Sequence, residues 1–254
     1  MIGVFDSGSG GLTVLKAMRD AYPSIDVVYF GDTKNAPYGL RSREELSQLT
    51  VAGIGFLLEH GASAVVSACN SVSASLVLSL YEVLPLGNVP LIEMVGPCVS
   101  AFKGSTERIA LCATAATVTS GMYQNAFRMI GHDVTAFAIP ELAGAIERGE
   151  GEEAYERYIR TALSQISPDS YDVLVLGCTH YPLVLDVFCR CVSDKRIFDP
   201  ADAVAERVAT TLWPREMGYG KTDFYISAES KQFREFVGKL FPEATHTISV
   251  CTGT

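Results

Sequence analysis

No apolar run in this chain approaches the roughly 20 residues that cross a bilayer as a helix, so nothing in it reads as a membrane span. Basic residues are few: 20 Lys and Arg stand against 29 Asp and Glu, a net charge of −9. Binding to nucleic acid or to an anionic membrane needs a basic face, so neither partner is expected, and the acid excess reads as charge that keeps a protein in solution. The Gly-Lys-Ser/Thr of a phosphate loop is missing, and the glycine-rich turn Asp6-Ser7-Gly8-Ser9-Gly10-Gly11 is followed by Thr13 where a dinucleotide fingerprint needs its third glycine. No nucleotide is expected. The seven cysteines are odd in number and lack the spacing of a small disulfide scaffold, and a chain of this size buries a core without staples. Reduced thiols fit a reducing compartment. Met1-Ile2-Gly3-Val4-Phe5 enters a strand with no basic or apolar leader before it, so the expected location is the cytoplasm. Histidine is scarce as well: Cys189-x-Cys191 has no second histidine to join Cys178 and His180, and no metal site is expected.

What the chain does have is a repeat. Ala64-Val65-Val66-Ser67-Ala68-Cys69-Asn70-Ser71 and Asp172-Val173-Leu174-Val175-Leu176-Gly177-Cys178-Thr179-His180 are both short hydrophobic runs ending in a small residue, a cysteine and polar residues. Runs without alternation read as parallel strands buried on both faces, which puts each cysteine at a strand's carboxyl end, where open α/β sheets place their ligand crevice. Cys178 lies 109 positions after Cys69 (178 − 69), and neighbouring segments repeat at similar offsets. Residues 2–8 align with 110–116 at 108 (110 − 2), residues 26–30 with 133–137 at 107 (133 − 26), and Ile92 with Ile197 at 105 (197 − 92). Four strand-like segments recur in the same order, so two similar α/β domains are expected, each a mainly parallel open sheet flanked by helices, with the active site in the interdomain cleft. A strand at 223–227 and a helix at 230–240 fall outside the repeat and are expected to complete the first domain. The domains are then 1–97 plus 207–254, and 98–206.

Along the chain, a helix is expected over 12–21 after the glycine turn. That turn either only tightens the connection or holds an anion or small ligand on free N–H groups. Asp6, at the strand tip, is a helix cap or a site residue. Ser42 and Glu45 have capping-box spacing for a helix reaching His60, and His60 next to Gly61 reads as a C-terminal residue favoured by the helix dipole. Cys69 opens a helix, a place where thiol pKa values fall. A strand is expected over 91–95, and another over 109–113 leading to Thr114-Ala115-Ala116-Thr117, hydroxyls that cap a helix or hold a polar ligand. Helices are expected over 141–148, 152–166 and 201–213. A single buried cysteine is usually a small hydrophobe and a single histidine usually a satisfied core residue. Two cysteines in matched positions of a repeat, one of them two residues from His180, suggest proton transfer instead.

With Phe5-Asp6-Ser7-Gly8-Ser9-Gly10-Gly11, Asp32-Thr33-Lys34-Asn35-Ala36-Pro37-Tyr38-Gly39, Ala68-Cys69-Asn70-Ser71, Ala113-Thr114-Ala115-Ala116-Thr117 and Leu176-Gly177-Cys178-Thr179-His180-Tyr181-Pro182 in this order, the chain resembles the glutamate racemase family of the aspartate/glutamate racemase superfamily. The resemblance implies cofactor-independent interconversion of L- and D-glutamate, supplying D-glutamate for peptidoglycan. It implies Cys69 as the base for the D-isomer and Cys178 for the L-isomer, with Asp6 and His180 as helper groups. Ser7, Pro37, Tyr38, Gly39, Asn70, Ser71, Thr114, Thr117 and Thr179 match positions that surround the substrate. A homodimer is compatible with it. Ser71 stands where most relatives have threonine; it keeps the hydroxyl and loses a methyl. Glu147, beside Arg148, receives no role. The alternatives are a racemase of another small amino acid such as aspartate, or a non-catalytic binding protein on the same fold.

Overall fold

The structure is a computed structural model that describes residues 1–73, 89–192, 194–212, 217–242 and 246–251. Strands β1 (Ile2–Asp6), β2 (Val27–Gly31), β3 (Ala64–Ser67) and β4 (Leu91–Ile92) lie in the order β2-β1-β3-β4. Strands β5 (Ile109–Ala113), β6 (Val134–Ala138), β7 (Val173–Gly177) and β8 (Arg196–Phe198) lie in the order β6-β5-β7-β8, the same pattern. Every pairing between these strands is parallel. In each sheet the chain leaves the first strand toward one side and returns on the other, so the carboxyl ends of β1/β3 and of β5/β7 are switch points where a crevice opens.

The register corrects the alignment of the first strands. Ile2 pairs with Val27 and Ala64, and Ile109 pairs with Val134 and Val173. Ile109 is therefore the counterpart of Ile2, at 107 positions (109 − 2) rather than 108, which makes Thr114 the counterpart of Ser7 and leaves Asp6 opposite Ala113. A one-residue slip is invisible in composition here because both strands are buried on both faces and carry no in/out alternation. Cys69 and Cys178 remain equivalent.

Two more strands, β9 (Thr222–Ile226) and β10 (Thr247–Val250), extend the first sheet beyond β2. β10 has no counterpart among the sequence expectations: it is a short edge strand with half-exposed residues and no buried run to announce it. The helix Ala201–Leu212 continues through position 207 and packs on helix Leu12–Ala21; its expected end at Trp213 lies outside the described residues, as does any continuation of the helix Asn70–Ser73.

Most local expectations have a visible cause. Ser42 and Glu45 form both bonds of the capping box at the start of Arg43–Glu59, with His60 as its C-cap. Thr114 caps Ala115–Ser120 by accepting from the Thr117 N–H. Residues 91–95 do not form one strand: β4 ends at Ile92, and Val95–Ser100 is helical because the Glu93 carboxylate accepts from the N–H groups of Val95 and Gly96. Among the described residues no helix is long and apolar enough to cross a membrane.

Candidate active site

Ser7 follows β1, Cys69 follows β3 by two residues, Thr114 follows β5 and Cys178 follows β7. These four strand tips face one another across one small, tightly walled pocket. Its lining contains Ser7, Pro37, Tyr38, Gly39, Cys69, Asn70, Ser71, Thr114, Cys178, Thr179 and His180, together with Ala143, which sequence reading did not single out. Asp6 and Thr117 do not line it; both are fully buried one layer behind.

Gly39 lets the loop after β2 approach the second half. A Cβ there would lie 2.6 Å from the Thr114 Cβ. Behind the same loop Asp32 accepts hydrogen bonds from Tyr38 Oη (2.6 Å), Asn35 Nδ2 (2.9 Å) and Ser227 Oγ (2.6 Å), which ties the wall carrying Pro37, Tyr38 and Gly39 to the end of β9.

The two thiols differ in their surroundings. Cys69 Sγ lies 3.6 Å from Ser7 Oγ. Burial, then the nearby Asp6 charge, push its pKa up to about 12. The expectation that a helix start lowers it is overturned: the helix offers a main-chain N–H, but desolvation of a fully buried sulfur outweighs it. Asp6 is itself raised by burial, against which the His180 charge and the N–H groups of Gly11 and Gly8 act; it accepts from Gly8 N–H (2.9 Å) and Thr179 Oγ1 (3.2 Å), so it holds the turn and does not occupy the N-cap position, which is Gly11.

On the other side, His180 Nδ1 lies 3.9 Å from Cys178 Sγ and its Nε2 lies 2.6 Å from Glu147 Oε1. Burial disfavours the imidazolium, but the Cys178 sulfur and the Glu147 carboxylate outweigh it and hold the pKa well above the ordinary value. Burial likewise disfavours the Glu147 anion, and His180 and Ser9 overcome it, leaving its pKa below the ordinary value. Both shifts describe one ionised pair with side chains 3% and 9% exposed.

Glu147 is the residue that sequence reading missed. It sits in the last turn of the helix Leu142–Arg148, where a glutamate next to an arginine reads as solvated surface. Only the docking of that helix on the glycine turn buries it. The Ser9 N–H (2.5 Å) and Ser9 Oγ (3.0 Å) both donate to its carboxylate, and a Cβ on Gly8 would lie 2.1 Å from its Oε1. The turn does hold an anion, and the anion is the chain's own Glu147.

Asn70 supplies an unpaired donor. Tyr123 Oη, from the helix Met122–Met129 of the second half, donates to Asn70 Oδ1 at 2.5 Å, while the buried Asn70 Nδ2 has no acceptor among the described residues. A buried amide left unpaired costs about 1–3 kcal/mol, a cost that a hydrogen-bond acceptor bound in the pocket would offset. Ser71 Oγ, Thr114 Oγ1 and Thr117 Oγ1 continue the polar wall as a chain at 2.9 and 3.0 Å.

Two parallel α/β sheets that each present one cysteine to a shared polar pocket define a class of two-thiol α/β proteins. Within that class, residues 2–208 match the Asp/Glu/Hydantoin racemase family. The glutamate racemase of Aquifex aeolicus is 34% identical over 249 residues, covering 95% of this chain and 94% of its own length. Two solved structures superpose over nearly the whole chain. The glutamate racemase isoform RacE1 of Bacillus anthracis does so with a TM-score of 0.87 at 29% identity, covering 100% of this chain and 97% of its own. The Francisella tularensis subsp. tularensis SCHU S4 glutamate racemase, solved in complex with D-glutamate, does so with a TM-score of 0.87 at 25% identity, covering 99% and 97%. The chain belongs to the Asp/Glu/Hydantoin racemase family.

Proposed function

We propose that this chain interconverts L- and D-glutamate without a cofactor, with Cys69 and Cys178 as opposed bases, each acting as acid when the other acts as base. The observation that carries the reading is the pair of cysteines at equivalent strand tips, lining one small pocket together with an unpaired amide donor. Inverting a carbon needs a proton removed on one face and another delivered on the opposite face. From the L-isomer, Cys178 takes the α-proton: the Cα–H bond breaks, an S–H bond forms, and the electron pair stays on the substrate. Cys69, held as a thiol by its burial, gives its proton to the other face. The D-isomer reverses the roles. His180 supports the Cys178 side and Asp6 the Cys69 side. Carbanion stabilisation falls to oriented donors in a closed pocket, namely Asn70 Nδ2 and the hydroxyls of Ser7, Ser71, Thr114 and Thr179, with Thr117 behind Thr114; Pro37, Tyr38 and Gly39 form the facing wall. In this reading residues 1–97 plus 207–254 and residues 98–206 are the two units that each bring one cysteine. The product feeds peptidoglycan synthesis in the cytoplasm, where the thiols stay reduced, and a homodimer is the assembly to check by sedimentation.

Incubation with L-glutamate in deuterated water tests the substrate. The expected result is deuterium at Cα and loss of optical rotation. Exchange with aspartate in place of glutamate points to a sibling racemase, and exchange with neither to a binding protein.

Asn70 gives a second check. Tyr123→Phe removes the donor that fixes the Asn70 amide, and KM for glutamate rises about 5- to 10-fold with little change in kcat. Steady-state kinetics in both directions measure the split; a fall in kcat at unchanged KM contradicts it.

A further inference from the structure

We propose that Ser9 is a positioning residue for the Cys178 side of the site: its main-chain N–H and its hydroxyl together fix the Glu147 carboxylate against His180, across the junction of the two halves. The inference rests on the racemase reading and adds a residue that does not line the pocket.

Ser9 is fully buried, and it reaches both oxygens of Glu147, the N–H to Oε1 at 2.5 Å and Oγ to Oε2 at 3.0 Å. Oε1 is also the atom that faces His180 Nε2 at 2.6 Å, and the far nitrogen of that ring faces Cys178 Sγ at 3.9 Å. The chain of contacts thus runs from a turn of the first half, through a carboxylate and an imidazole of the second, to a sulfur in the pocket. Any residue but proline at position 9 offers the main-chain N–H, whereas the serine hydroxyl adds the second point of attachment. One bond to Oε1 leaves the carboxylate free to pivot about that atom; two bonds set its plane. The flanking glycines make room for this arrangement, since a Cβ on Gly10 would lie 2.6 Å from His180 Nδ1.

The charges around Glu147 show why donors are needed there. His180 and Ser9 favour its ionised form against the cost of burial, and the Glu147 charge in turn raises the cost of ionising Asp6. Tyr29, also close enough to feel both carboxylates, spends its hydroxyl on the Gly8 carbonyl at 2.8 Å and donates to neither. Alongside His180, Ser9 offsets the cost of burying the Glu147 carboxylate, as Gly8 N–H and Thr179 hold Asp6.

Ser9→Ala tests this by removing one donor from an ionised carboxylate. Protonation of Glu147 becomes easier, so the acid limb of the kcat/KM profile moves up by about one pH unit, a loss of about tenfold in kcat/KM on that limb with little change at neutral pH. Ser9→Thr keeps the hydroxyl and returns the limb toward its wild-type position. A uniform loss with an unmoved acid limb overturns the inference. Carboxyl-carbon NMR of the full chain labelled with 13C-glutamate gives a readout that needs no turnover, with the Glu147 resonance assigned by its absence in Glu147→Gln. Glu147 titrates below the ordinary carboxylate range in the wild type and higher in Ser9→Ala; equal titration in both proteins overturns the inference. Failure of wild-type protein to exchange glutamate in deuterated water overturns the substrate reading instead, and the NMR comparison still decides the role of Ser9.

Discussion

Cys69→Ala and Cys178→Ala each abolish net racemisation, lowering kcat by about 10³-fold or more in both directions. Each substitution leaves one face of the substrate with a base and the other with none. The residual chemistry therefore differs between the two. With Cys69 gone, Cys178 still reaches the L-isomer, and slow exchange of the L-isomer α-proton with solvent survives while the D-isomer is inert; Cys178→Ala shows the reverse. Both sulfurs are buried in a shared pocket and each is a small side chain, so truncation removes little volume and the fold persists, which a melting curve checks. Proton NMR of each enantiomer in deuterated water reads the pattern. Full activity in either variant, or equal exchange of both enantiomers in both variants, contradicts the assignment of one thiol to each face.

The second large effect comes from Glu147→Gln. Glutamine keeps the shape and can still contact Ser9, but it removes the anion that holds His180 as an imidazolium beside Cys178. A buried cation without its partner gives up its proton, and kcat/KM falls about 10²-fold. Stability changes with a defined dependence on pH. The folded pKa of Glu147 lies below its ordinary 4.5, so its contribution is present above pH 4.5 and disappears as pH falls through the folded value. The folded pKa of His180 lies above its ordinary 6.5, so its contribution is complete below pH 6.5 and fades as pH rises toward the folded value. The pair thus stabilises most between these two ordinary values. Urea unfolding at pH 5.5 shows the variant less stable by about 3 kcal/mol, and the gap narrows as pH is raised above 6.5. A gap that stays constant with pH contradicts the ionised pair.

The parts of this architecture that were legible before the structure share a physical cause. Cys69 and Cys178 stand out because each follows a run buried on both faces, and burial of that kind leaves a continuous hydrophobic signature that a repeat can match. The capping box of Ser42 and Glu45 and the cap at Thr114 are local and rest on side chains within three residues of each other. What escaped depends on contacts between distant segments. Glu147 and Ser9 are 138 positions apart, and neither carries a local sign that the other will neutralise it. Ala143 enters the pocket as plain helix surface turned inward by docking. The raised pKa of Cys69 follows from burial and the Asp6 charge, whereas the sequence displays only the helix start that acts in the opposite direction. For Ser71 the structure shows a hydroxyl contact with Thr114 Oγ1 at 2.9 Å, which a threonine there would also offer.

The most direct measurement follows the first few per cent of turnover of L-glutamate in deuterated water, with isotope content read separately in substrate and product. Two opposed thiols deliver a solvent-derived deuteron to the new face, so the D-glutamate formed carries deuterium at Cα from the outset while the remaining L-glutamate still carries protium. Protium retained in the product, or deuterium appearing equally in both enantiomers from the start, would mean that one base serves both faces.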